Sequence, residues 1–105
     1  MLVEKKIGKY TVREAGMREA VRKIRMMEQA AEYAGDDAEL KTTLAIYPHV
    51  FGCVIPHVSV DEFLELKETE IDTLYLAALE LNPHWFALPD QEKKTDQQLS
   101  ESTNG

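Results

Sequence analysis

The apolar positions of this chain change period twice. Residues 2–12 alternate loosely, with Val3, Ile7, Tyr10 and Val12 apolar and Lys5, Lys6 and Lys9 between them. A period near two predicts a short strand, or a hairpin if Gly8-Lys9 is its turn, and such a hairpin must lean on something. From residue 13 to 34 the period lengthens. Met17, Ala20, Val21, Ile24, Met27, Ala31 and Ala34 recur at steps of three and four, the signature of a long amphipathic helix buried along that stripe. Arg18, Arg22, Arg25, Glu28 and Glu32 fall elsewhere on the wheel. Gly35 reads as the helix stop, and Asp36 or Asp37 as the cap of the next helix.

Most large apolar residues lie between 37 and 83, so the core is expected there. A second helix is predicted from about Ala38 to Tyr47. Pro48 must kink or restart it, and is read as a first-turn residue of a helical segment reaching about Val54. A strand over 49–55 is the alternative, ranked lower because parallel neighbours for it are missing. Pro56-His57-Val58 breaks the run. Ser59-Val60-Asp61-Glu62 fits a capping box and opens a short helix to Leu66. A last helix starts at Glu68 or Thr69, with Ile71, Leu74, Tyr75, Ala78 and Leu81 inward, and Asn82-Pro83 ends it. Residues 90–105 carry one large apolar residue, Leu99, and are expected to be a disordered tail. The predicted fold is mainly α: a small bundle of about four helices with a possible short N-terminal β segment, in one domain over residues 1–89.

Charge narrows the possible partners. Residues 1–25 hold eight basic and three acidic residues, and the rest holds four basic and sixteen acidic, for a net −7. A net acidic chain argues against general nucleic-acid binding, where phosphate neutralisation dominates affinity. The split can pair the two halves within one fold or orient copies head to tail. No run approaches 18 apolar residues, so no membrane helix is expected, and the N-terminus has no secretory apolar region. A single Cys53 in an apolar run suits a reducing cytoplasm.

Candidate chemistry is sparse. His49, Cys53 and His57 are spaced four and four, a metal pattern only if one helix carries all three, and Pro56 argues against that. A Cys/His nucleophile needs an exposed, electropositive thiol, whereas Phe51, Val54 and Ile55 surround Cys53. Asp61, Glu62 and Glu65 read as a solvated face, and no phosphate-cradling glycine loop exists. No catalytic residue, metal site or cofactor is expected. The candidates are contact residues instead. Leu76 and Leu79 widen the apolar surface of the last helix beyond one stripe. Met26 and Met27 could face a partner, the plainer reading being Met27 in the core and Met26 at its rim. Trp85 and Phe86 could cap the core or anchor a contact.

Three segments together resemble the tail assembly chaperones of long-tailed bacteriophages and prophages. They are Tyr10-Thr11-Val12-Arg13-Glu14 opening a charged helix with Arg18-Glu19, Tyr47-Pro48 leading into the apolar run 50–55, and Ser59-Val60-Asp61-Glu62-Phe63-Leu64-Glu65-Leu66. Ile71-Asp72-Thr73-Leu74 follows and Leu81-Asn82-Pro83 closes the third. The resemblance covers about residues 10–86. It implies a small helical protein of the bacterial host cytoplasm that binds the tape-measure protein, helps recruit tail-tube protein and performs no catalysis. The rival expectation is a small helical DNA-binding regulator or antitoxin, whose recognition helix would have to use Arg18, Arg22, Lys23 and Arg25.

Overall fold

The computed structural model describes residues 2–86, so the tail expected at 90–105 lies outside the described residues. The elements in order are β1 (Glu4–Ile7), β2 (Tyr10–Arg13), α1 (Met17–Ala34), α2 (Ala38–Thr43), α3 (Tyr47–Phe51), β3 (Val54–Ile55), α4 (Val60–Glu65), α5 (Glu68–Leu81) and a 3-10 turn, Pro83–Trp85. The fold is mostly helical, as the periodicity predicts, but it contains a small antiparallel sheet of order β1-β2-β3.

The sheet begins with the hairpin read from the sequence. Ile7 pairs with Tyr10 across Gly8-Lys9, and the register runs out to Glu4 opposite Arg13. Gly8 takes a positive φ of 60°; a two-residue turn needs that at its first central position to match the strand twist. β2 is the central strand and buries Tyr10 and Val12. β3 pairs with β2 through Thr11–Ile55 and Val12–Val54. The predicted helix to Val54 is therefore corrected: α3 stops at Phe51 and the chain turns through Gly52 into a strand. A parallel neighbour was the wrong requirement, because β2 supplies an antiparallel one. Pro56 ends β3 because it has no N–H to donate.

Local signals place most helix ends. Asp37 caps α2, its Oδ1 accepting the Leu40 N–H at 3.1 Å. Gly35 closes α1 with a φ of 56°. Pro48 sits in the first turn of α3, where its missing donor costs nothing. Ser59 Oγ accepts the Glu62 N–H at 3.1 Å, so half of the predicted capping box is present. The Glu62 carboxylate accepts the Tyr10 hydroxyl at 3.0 Å, fastening α4 to the sheet.

The core is built on α3. Tyr47, Val50 and Phe51 are fully buried, with Phe63 of α4 set against the two aromatic rings at 5.4 and 5.2 Å. The Tyr47 hydroxyl donates to the buried Val58 carbonyl at 2.8 Å, so burying that ring orphans no polar group. α1 turns Met26, Ala30 and Ala34 inward, and of the predicted stripe only Ala34 is among the buried residues. Met17, Val21, Ile24 and Met27 are exposed, so the inward face of α1 is rotated about 100° from the expectation, one residue step on the wheel. At Gly52 the chain leaving α3 passes close to α1: a Cβ there would lie 2.7 Å from the Pro48 carbonyl oxygen and 3.4 Å from the Lys23 Cα.

Two buried polar side chains hold the junction between sheet and helices. Asn82, fully buried at the end of α5, accepts the Ala15 N–H at 2.7 Å and donates to the Arg13 carbonyl at 3.0 Å. Glu19 accepts the Gly16 N–H at 2.9 Å and meets Arg13 at 3.4 Å. Burial alone raises the Glu19 pKa, but the backbone N–H bonds and the Arg13 guanidinium outweigh it and hold the carboxyl below its ordinary value.

Asn82→Ala should cost about 3 kcal/mol in urea unfolding, because it removes a fully buried amide and leaves the partly buried Ala15 N–H and Arg13 C=O without their partner. A loss below about 0.5 kcal/mol would show that water or a shift of the junction replaces the amide. Glu19 contributes stability above the ordinary carboxylate range that is lost as pH falls through its depressed folded pKa. Glu19→Gln should therefore be less stable than wild type near pH 7, and the gap should narrow as the pH is lowered below 4.

Candidate interaction surface

Of the three residues His49, Cys53 and His57, the first two are withdrawn from solvent and His57 is exposed. Cys53 is fully buried behind β2 and β3, and burial pushes its thiol up to about 11. Such a thiol is a poor nucleophile at neutral pH. His49 is half-buried on α3. Burial, with Lys23 nearby, lowers its pKa against an opposing backbone hydrogen bond involving Ala45, so the ring is neutral near pH 7. Among the described residues no group of three His, Cys, Asp or Glu side chains is placed to hold a metal ion.

The apolar surface is more informative. α1 lies beside the α2–α3 corner, and Pro48 forces α2 to end before α3 begins. Between them opens a groove of about 240 Å³. Ala30 and Ala31 form one wall, Leu44, Ala45 and Pro48 the other, with Met27 on the rim. Lys41 and His49 supply its polar edge. The small alanines make the groove: larger residues at 30, 31 and 45 would fill it. A second cleft of about 350 Å³ lies between the hairpin turn and α5, lined by Ile7, Tyr10, Thr69, Glu70, Thr73 and Leu74 among others.

The predicted contact residues divide. Met27 is 46% exposed at the groove, and Leu76 is 62% exposed on the outer face of α5. Leu79 and Phe86 are half-buried, with Phe86 edge-on to Tyr75 at 5.2 Å. Met26 and Trp85 are buried and offer no free surface. The plain reading of the methionine pair is thus reversed: Met26 is core and Met27 is rim. The Lys23 ammonium sits 4.2 Å from the Trp85 ring centroid and covers it.

Sequence reasoning missed the outer face of α1. Met17, Val21 and Ile24 are 80%, 45% and 55% exposed. Their helical spacing predicts a buried stripe, but spacing alone does not give the phase. A weaker signal was present in Glu19, Lys23, Met26, Ala30 and Ala34, which repeat on the true inner face. The groove residues left less trace, since they come from two segments joined only by the fold.

Comparison with known protein families, with characterised proteins and with solved structures gives no match.

Native Cys53 should resist thiol reagents at pH 8 and react at the rate of global unfolding. Fast labelling of the folded protein would mean that the β2–β3 edge opens.

Proposed function

We propose that this protein binds a helical segment of a client protein in the α1–α2–α3 groove and catalyses no reaction. The observation that carries the reading is the groove itself: apolar walls, a methionine rim and only two polar groups at the edge. This is the form that receives the apolar face of an amphipathic helix, with anchors at three- and four-residue steps. Methionine at the rim adapts to irregular anchors. Lys41 beside the groove suits a client with acidic residues flanking its apolar stripe. Exposed Leu76 offers a second contact on α5 for a long client.

Together with the resemblance over residues 10–86, this supports a phage tail assembly chaperone. The client is then the tape-measure protein, a long helical chain that aggregates when its apolar face is uncovered, with tail-tube protein recruited to the complex. The fold's own use of its basic residues weighs against a DNA-binding regulator. Arg22 donates to the Gly52 and Val54 carbonyls at 3.1 and 3.2 Å, and Lys23 covers Trp85. Two of the four basic residues of α1 are therefore engaged inside the protein.

Ala45→Glu and Met27→Glu place a charge in the groove at positions that are exposed. Each should weaken binding of tape-measure helices about tenfold or more while leaving the melting temperature within a few degrees of wild type. Co-expressed wild type should keep the tape-measure protein soluble, and these variants should not. Equal solubility with and without the wild-type protein would defeat the proposal.

A further inference from the structure

The outer face of α1 is separate from the groove floor. Successive residues advance about 100° around a helix, so Met17, Val21, Ile24, Glu28 and Ala31 share an arc of about 80°. Three of these are large apolar side chains, and none of the five is buried. Scattered exposed apolar residues need no explanation, but a continuous line over four turns does.

We propose that this face binds the same face of a second copy, with the two α1 helices antiparallel. Self-complementarity of charge and size identifies the occupant. The basic residues Arg18 and Arg25 lie in the first half of α1 and the acidic residues Glu28 and Glu32 in the second. A two-fold axis through Ile24 sets Met17 against Ala31 of the second copy and Ile24 against Ile24. It also places Arg18 between Glu28 and Glu32 of the second copy. Met17 meets the small Ala31 and Arg18 meets Glu28 and Glu32, each contact occurring twice as an isologous interface requires, while Arg25 lies next to the axis and gains no acidic partner. A parallel pairing would instead set Arg18 beside Arg18 and Glu28 beside Glu28. Of the two pairings, only the antiparallel one brings Arg18 of the second copy to Glu28.

The contact is limited in size. α1 has 18 residues and is about 27 Å long. One such helix pair buries less than a standard protein interface, so the dimer is reversible and of micromolar affinity. Ala31 belongs both to this face and to the groove, and Met27 on the groove rim borders the face. A client helix and a second copy therefore compete, and dimers would store the protein until client appears. That consequence rests on the proposed client groove; the dimer does not, and is measured with no client present.

Sedimentation equilibrium of the purified full chain should show a monomer–dimer equilibrium that weakens with added salt. Ile24→Asp should raise the dissociation constant by about tenfold or more without changing the melting temperature, since Ile24 supports no core. Arg18→Glu should weaken the dimer similarly. Combining it with Glu28→Arg and Glu32→Arg should restore the dimer. A chain that stays monomeric to several hundred micromolar overturns the proposal. So does a dimer indifferent to Ile24→Asp, or a triple variant no tighter than Arg18→Glu alone.

Discussion

The buried amide of Asn82 is the interaction on which the arrangement depends. It lies at the end of α5, yet both of its hydrogen bonds reach the backbone between β2 and α1. One side chain thus joins the last helix to the strand–helix junction, almost seventy residues earlier. The junction has few other ways to satisfy its polar groups. Arg13 N–H already donates to the Cys53 carbonyl, and Gly16 N–H to Glu19. With Asn82 in place, α1 leaves the sheet in one direction and must pass over α3. The groove follows from that direction together with the break at Pro48.

Much of this was legible in the chain because it is local. Gly8-Lys9 as a turn, Asp37 and Ser59 as caps, Gly35 as a stop, and Pro48 in a first turn each depend on chemistry within four residues. The two main errors have a common cause. Whether 54–55 forms a strand depends on β2, some forty residues away, and the phase of α1 depends on which of its sides packs against α3. Neither is encoded near the residues it decides. Asn82 itself looked like a helix terminator before a proline. Nothing next to it in the sequence distinguishes an exposed stop from a buried clamp.

The candidate site was half legible for the same reason. Leu76, read as apolar surface beyond one stripe, is exposed; of the methionine pair, read as adaptable contacts, Met27 is exposed and Met26 buried; and Trp85, read as a core cap or an anchor, is buried. Composition gives the amount of apolar surface, and packing decides which part remains outside. Here packing turned the alanine side of α1 inward, leaving the bulkier side chains for solvent or for a partner. On the proposed reading the contact surface is made of the apolar residues that the fold declines to bury, and that is a property of the three-dimensional arrangement.

The central claim is that a helical client occupies the α1–α2–α3 groove. The most direct test is an amide NMR titration of the protein with amphipathic helical segments of the tape-measure protein. Saturable shifts centred on Met27, Ala31, Lys41, Ala45 and His49, with the β-hairpin unperturbed, are the predicted result. Absence of saturable shifts, or shifts confined to surfaces away from the groove, would contradict the account.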